Sequence, residues 1–347
     1  MPSAPIRGLC ILLLAAAALF GPVWSAHSQT DDTLRLVRAR GALRCGVSEG
    51  ILGFSFRDRS GVWSGIDVDF CRALAAAALG DPAKVRFVPL RAPARFPALM
   101  SREIDILARN TTWTVQREAD FGVSFVGVLF FDDAALVARA DNRFARAATL
   151  DGARLCYERT GSDLDDAETY FRARGWHSVA RESPDLAASR RDLQEGACDL
   201  LVDDASSIAE MLLRVPNRAD FVVRPERLGR QPLGPAVRVS DGTWLTLVRA
   251  VYAALIDAEQ RGLTQPQARE MLRGEDAPAH PRYMQQTASV ARALRIAPTW
   301  AVAAVAAVGN YGEMFERNLG AASQLRLPRG ENRPWTAGGL LFAPPFD

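Results

Sequence analysis

The sequence predicts an α/β protein built as two successive lobes, and two observations carry that expectation. Between residues 43 and 107, short apolar runs alternate with longer stretches of helical spacing, and near residue 154 the alternation starts again. Leu43–Val47 reads as a strand, after which Phe70, Ala73, Leu74 and Ala77 recur on one helical face until Gly80-Asp81-Pro82 stops the helix. A strand over 85–88, a short helix over 96–100 and a strand over 104–107 follow, so the β-α-β-α-β order implies a parallel sheet covered by helices. The second set comprises a strand over 154–157, helices over 165–174 and 186–195, and a strand over 199–202 within "CDLLVDD". "RQPLGPAVRVSDG" then reads as a crossing back to the first lobe, leading into a helix over 244–259. Open α/β sheets bind ligands beyond the carboxyl ends of their strands, so two facing lobes enclose a cleft.

The chain begins with the marks of a secretory signal peptide over residues 1–28. Arg7 supplies the positive start, residues 9–20 are apolar, and "SAHSQT" offers cleavage after Ala26 or Ser28. That apolar run is short for a spanning helix, which needs about 20 residues, and Cys10 is badly placed for lipid attachment. The expected product is exported, in the periplasm, with no direct membrane insertion. A net charge of +2 does not advertise a nucleic-acid surface. Lys84 is the only lysine among 42 basic residues, so an arginine by itself says little about ligand binding. Outside the leader only His177 and His280 are histidines, and no C-x-x-C accompanies the cysteines. That composition argues against histidine-based catalysis or a His-rich metal site, and no cofactor or metal is expected. "PTWAVAAVAAVGNYGEMFERNLG" holds an apolar helix bounded too closely by Pro298 and Gly309 to span a membrane, and "LPRGENRPWTAGGLLFAPPFD" reads as an irregular tail.

"ARNTTWTVQRE", residues 108–118, is the densest chemistry in the chain, an amide and three threonines ending in an arginine. A guanidinium fork matches a carboxylate through two parallel hydrogen bonds. Two readings stand at this level. Thr112 or Thr114 caps a helix whose surface carries Arg117, or the stretch holds a small anion-bearing molecule.

"GIDVDFCRALAAAALGDPAKVRFVPL", "EIDILARNTTWTVQRE", "LGPAVR" and "VGNYGEMFERNLGAASQLRLPRG" together resemble the general L-amino-acid-binding periplasmic proteins, receptors of polar amino acid ABC transporters within the family 3 solute-binding proteins. The resemblance implies a type II periplasmic binding protein: two lobes, each a mixed, mostly parallel sheet under helices, with a hinge between them. Lobe 1 is expected over 33–133 and 235–275, lobe 2 over 134–234, and a C-terminal extension over 276–347 packed on lobe 1. It further implies that Arg117 grips a ligand α-carboxylate with help from Thr112, that the Asn110 carbonyl receives the ammonium, and that Asp204 is the ammonium's counter-charge beside a neighbouring Asp203. Trp113 is expected in the core.

The chain departs from its relatives at "YERTGSD". Thr160-Gly161-Ser162 stands where they carry Gly-Thr-Thr or Gly-Thr-Ser, although the amides of Gly161 and Ser162 at a helix start still suit an anion. Ser48 and Glu49 fall at the cleft mouth, Glu49 reading a side chain or simply solvated. Arg95 and Arg109 either pair with an acidic ligand side chain or lie on the surface. Asp67 and Asp69 read as helix-start acids rather than a catalytic pair. The cysteines divide two and two between the lobes, giving Cys45 with Cys71 and Cys156 with Cys198, each bond inside one lobe so that the hinge stays free. The expected function is capture of L-amino acids, polar and of broad range, by a monomer that delivers them to an inner-membrane ABC permease without turnover. The alternative is an exported enzyme on the same fold, similar to cyclohexadienyl dehydratase, for which Glu49 is the one tempting acid.

Overall fold

A computed structural model of the chain describes residues 32–275, 280 and 282–346. The expected signal peptide lies outside the described residues, as do positions 276–279 where the C-terminal extension was expected to begin. The first part comprises α1 (Thr33–Arg40), β1 (Leu43–Val47), β2 (Phe56–Arg57), β3 (Trp63–Ser64), α2 (Ile66–Leu79), β4 (Val85–Pro89), α3 (Arg95–Met100), β5 (Ile106–Leu107), α4 (Val115–Phe121) and β6 (Val123–Phe125). The second runs through β7 (Phe130–Arg139), β8 (Ala153–Glu158), α5 (Asp163–Arg172), β9 (Ser178–Ser183), α6 (Leu186–Gln194), β10 (Leu200–Asp204), α7 (Ala205–Arg214), β11 (Phe221–Val223) and β12 (Gly229–Leu233). The chain then returns through β13 (Ala236–Arg238) to α8 (Gly242–Gln260), α9 (Gln265–Leu272), α10 (Tyr283–Leu294), α11 (Trp300–Val308) and α12 (Tyr311–Asn318).

Among the described residues the strands form two large sheets, and β2 pairs with β3 in a separate two-stranded ribbon. The first has the order β4-β1-β5-β13-β6, with β1 parallel to β4 and β5 and the returning β13 antiparallel to β5 and β6. The second has the order β11-β7-β10-β8-β9, with β8 parallel to β9 and β10, and β7 antiparallel to β10, β11 and β12. Both are mixed, as expected. The second sheet begins at Phe130, so the expected lobe boundary at 133/134 falls inside β7, while the one at 234/235 falls just after β12. The helix expected over 165–174 begins two residues earlier, at Asp163, where a run of acids suits the positive end of the helix dipole. Asp67 and Asp69 do not cap α2: its N-cap is Gly65, and no side chain fills that role.

Packing follows from side-chain size. Helix α2 is buried along nearly its whole length, and its alanines let the equally alanine-rich α11 lie close against it. The extension from α10 to α12 is packed against α2 and α8. Asp69 fastens it there, accepting from Arg317 and Asn318 at 2.7 Å each. The extension also reaches further: the Asn332 side chain accepts from the Phe131 N–H at 2.7 Å and donates to the Phe131 carbonyl at 3.0 Å, gripping the first turn of chain beyond the crossover. Among the described residues no helix is long and apolar enough to cross a membrane.

The two crossovers run side by side. Val126 donates to the Pro235 carbonyl at 3.0 Å and Leu129 to the Leu233 carbonyl at 2.8 Å. A Cβ at Gly234 would stand 2.0 Å from the Gly127 carbonyl oxygen, so only glycine allows this approach. Two tyrosines of the first lobe hold the outgoing strand, Tyr252 donating to Val128 and Tyr311 to Leu129.

Disulfides join Cys45 to Cys71 and Cys156 to Cys198, one within each lobe, as the cysteine distribution predicted. The second closes a separation of 42 residues. Replacing Cys156 and Cys198 together with serine is expected to lower unfolding stability by about 2–4 kcal/mol. Urea denaturation measures this, and an unshifted midpoint would show that the bond contributes nothing.

Candidate functional site

A cleft of about 560 Å³ opens between the two sheets, at the carboxyl ends of β1, β5, β8 and β10. All ten positions singled out as ligand-binding candidates line it: Ser48, Arg95, Arg109, Asn110, Thr112, Arg117, Thr160, Gly161, Ser162 and Asp204. They are not equivalent in what they offer.

In the 108–118 stretch the capping half of the first reading holds, while Arg117 lies in the cleft and not on the helix surface. Thr114 caps α4, accepting from the Arg117 amide at 3.1 Å. This fixes the helix start so that the Arg117 side chain turns into the cleft, where it donates to the carbonyls of Thr112 at 2.6 Å and Thr160 at 3.0 Å. Asn110 adopts a left-handed φ of 34°, and its amide donates to Asp67 at 2.8 Å. Asparagine tolerates that conformation better than most residues. Trp113 stacks on Phe125 at 5.8 Å beneath the loop, a packing role as expected.

Arg95 is 5% exposed rather than on the surface, lies over the Phe96 ring, and donates to the Thr160 carbonyl at 3.0 Å. Burial, followed by the neighbouring Arg117 and Arg109, lowers its pKa well below the ordinary arginine value. Arg109 donates to Leu90 at 2.9 Å. Burial likewise lowers the pKa values of Arg109 and Arg117, with Asp163 and Asp204 opposing the effect at Arg117. The hydroxyl of Ser48 is committed to Ser55 at 2.6 Å, so it shapes the loop more than it faces the cleft. Glu49 is exposed and ion-paired with Arg91 at 3.6 Å, which supports its solvated reading.

On the opposite wall, the turn after β8 differs from its expected use. The Gly161 N–H closes that turn on the Glu158 carbonyl at 2.9 Å and so is not available to an anion. The Thr160 carbonyl takes both guanidinium groups. The Ser162 hydroxyl lies 3.1 Å from the Thr112 hydroxyl across the cleft and 2.8 Å from Gln231 Oε1, and Gln231 in turn donates to Asp166 at 2.6 Å.

Asp204 ends β10 and stands at the N-cap of α7 without capping it. Asp132 on β7 takes that role, accepting from the Ser206 amide and hydroxyl. Asp203 accepts from the Ser207 hydroxyl at 2.7 Å and the Asp204 amide at 2.9 Å, with Arg190 3.9 Å away. The neighbours thus do the local structural work, and Asp204 is left with a buried Oδ1 that has no hydrogen-bond partner. Burial first, then Asp163, pushes its pKa well above the usual carboxylate range.

Sequence reasoning passed over Asp163, Asp132, Glu158, Arg190 and Gln231. Only Asp163 carried a signal, in the acidic run "SDLDD". Among the described residues no cluster of His, Cys, Asp and Glu is arranged to hold a metal ion. The arrangement suits a small zwitterion, with guanidinium groups on one wall and carboxyls on the other.

Residues 43–210 match the model of the bacterial extracellular solute-binding proteins, family 3. The glutamate/glutamine/aspartate/asparagine-binding protein BztA of Rhodobacter capsulatus is 38% identical over 334 residues, covering 95% of this chain and 99% of that protein. The general L-amino acid-binding periplasmic protein AapJ of Rhizobium johnstonii is 39% identical over 340 residues, covering 96% and 98%. Among solved structures, an ABC transporter / periplasmic binding protein from Brucella ovis with glutathione bound superposes with a TM-score of 0.83 at 36% identity, over 91% of this chain and 100% of that one.

The buried acids set a pH dependence of stability. Burial, the largest cause in each case, raises Asp67, Asp132 and Asp203 to about 7. These groups bind protons in the native state that the unfolded chain has released, so their contribution to stability falls as pH rises from about 4 to 7. Asp199 works oppositely: although burial pulls it upward, hydrogen bonds from Arg154 hold it at about 2, so its contribution is lost only as pH falls below about 4. Urea midpoints of the protein without added amino acid are expected to fall between about pH 5 and pH 7.5, less so for Asp132→Asn. A midpoint that climbs over that interval would contradict the assignment.

Proposed function

The chain belongs to the bacterial extracellular solute-binding proteins of family 3, and from that premise we propose that it is a periplasmic receptor that captures L-amino acids in its cleft and delivers them to an ABC permease. The observation that carries the reading is the placement of Arg117 on one wall and Asp204 on the other wall of one cleft. The planar fork of Arg117 takes the α-carboxylate, with the Ser162 amide at the start of α5 facing the same anion. Asp204 takes the ammonium through its unpartnered oxygen. The ligand then draws its partners from both lobes, so binding favours the closed form, and a permease reads closure. Asn110 and Thr112 complete the grip from lobe 1. Arg95 and Arg109 lie where a polar or acidic side chain would extend, which supports a range of polar amino acids.

The receptor acts as a monomer without turnover. The acid that an enzyme on this scaffold would most readily use, Glu49, is solvated and paired with Arg91.

A thermal-shift screen of the twenty amino acids on refolded, ligand-stripped protein tests the reading. Several polar L-amino acids are expected to raise the apparent stability, by roughly 2.7 kcal/mol at a hundredfold excess over Kd, with little response to D-forms. Arg117→Ala is expected to abolish the shifts; an undiminished response in that variant would remove the carboxylate assignment. Turnover of prephenate or arogenate would favour the enzyme reading instead.

A further inference from the structure

We propose, resting on the receptor reading above, that Asp163 joins Asp204 in a single subsite for a primary ammonium group, and that the two carboxyls share one proton which passes to solvent as the ammonium enters. Asp163 is the first residue of α5, directly after the turn at which this chain departs from its relatives. Its carboxyl lines the same cleft as that of Asp204, which ends the strand paired with β8, and Asp163 is the neighbouring charge that raises Asp204 most. Two carboxylates so close cannot both ionise without a counter-charge, and a shared proton turns their repulsion into a hydrogen bond.

Each of the two keeps a second oxygen for other use. Asp163 Oδ1 and Asp204 Oδ1 are both buried without a protein partner, and so is Asn110 Oδ1 in the same cleft. A primary ammonium carries three N–H donors in a compact head. With Thr160 Oγ1, likewise unpartnered in the cleft, the orphaned oxygens suffice to accept from all three donors. A buried acceptor left without a hydrogen bond is unfavourable, so these oxygens favour such a guest.

The surrounding charges are otherwise engaged. Asp132 of β7 is held by Ser206, Asp203 of β10 by Ser207 with Arg190 of α6 nearby, and Asp166 of α5 by Gln231. Arg117 of α4 is bonded to the Thr112 and Thr160 carbonyls, and Arg95 of α3 to the Thr160 carbonyl. Glu158 at the end of β8 acts on Arg95, Arg109 and Arg117. The acids left with an unpartnered buried oxygen in the cleft are Asp163 and Asp204, and the shared proton is placed on that pair. Burial is the main cause that lifts Asp163 to about 6, with Asp132 and Asp166 adding to it and Arg117 opposing.

The sign of the linkage follows. The empty pair holds one proton and a single negative charge; an entering ammonium lowers the pair's pKa, so the proton leaves to solvent on binding and affinity rises with pH. Between about pH 5.5 and pH 7.5 the dissociation constant of the wild-type protein is expected to tighten about tenfold.

Isothermal titration with L-glutamine near pH 6, in two buffers of different ionisation heat, counts the protons released. None of the ionisable groups of L-glutamine titrates in this range. Wild-type protein and Asp132→Asn are expected to release close to one proton per ligand. Asp163→Asn and Asp163→Thr are expected to release almost none, with dissociation constants that stay within about twofold across the same pH range. Using two substitutions guards against one that fails to fold, which circular dichroism reveals. Release that persists in both Asp163 variants, or that vanishes in Asp132→Asn, overturns the proposal while leaving the receptor reading intact. Failure of L-glutamine, L-alanine and L-glutamate alike to bind the wild-type protein near pH 7.5 overturns the receptor reading, and this inference with it.

Discussion

Burial of opposite charges on facing walls is the constraint on which the rest of this molecule depends. A guanidinium or a carboxyl removed from water costs several kcal/mol unless an opposite charge or a full set of hydrogen bonds accompanies it. Arg117 and Arg95 here lean on backbone carbonyls, which carry only partial charge. Asp204 faces Asp163 and keeps an oxygen that nothing satisfies. Each wall is therefore strained in isolation, and a molecule bearing both signs relieves both walls together. The fold turns a local electrostatic penalty into an affinity that requires two lobes.

That penalty can be sustained because the surrounding chain assigns structural duties elsewhere. In an ordinary strand-to-helix junction, an acid at the N-cap would satisfy the helix amides. At α7 this duty falls to Asp132, delivered from the antiparallel β7, while Asp203 ties down the amide of its neighbour. On the other wall, Asp67 reaches from the first turn of α2 to hold the amide of Asn110 in a conformation few residues accept. Helix-start acids thus serve as supports for a neighbouring loop, and the residues facing the cleft are released from structural work.

The large elements were legible in the sequence because they rest on periodicity. The run 43–47, the helix ended by Gly80, and the apolar run before the cleft loop each lie within a residue or two of where spacing placed them. The ten-residue β7 went unread because "FFDDAALVAR" mixes acids into a strand whose partners are all distant in sequence. The site candidates gathered in one cleft, yet what each offers was not legible. Whether the Gly161 N–H is free depends on a turn with Glu158, and whether Asp204 caps a helix depends on Asp132, 72 residues away in the chain by number. Asp163 was passed over as one acid of a helix start, and only the parallel pairing of β8 with β10 brings their carboxyl ends, and so Asp163 and Asp204, to one place.

The clasp of Asn332 on Phe131 bears on how such a molecule moves. By holding both the N–H and the carbonyl of one residue, the tail of the chain splints the root of the longest strand to the body that carries α11 and α12. Together with the tyrosines that hold Val128 and Leu129, this keeps the outgoing crossover as far as Phe131 with that body, so bending falls to the backbone beyond it. The tail, far from being a loose end, fixes the point from which the second sheet's longest strand departs.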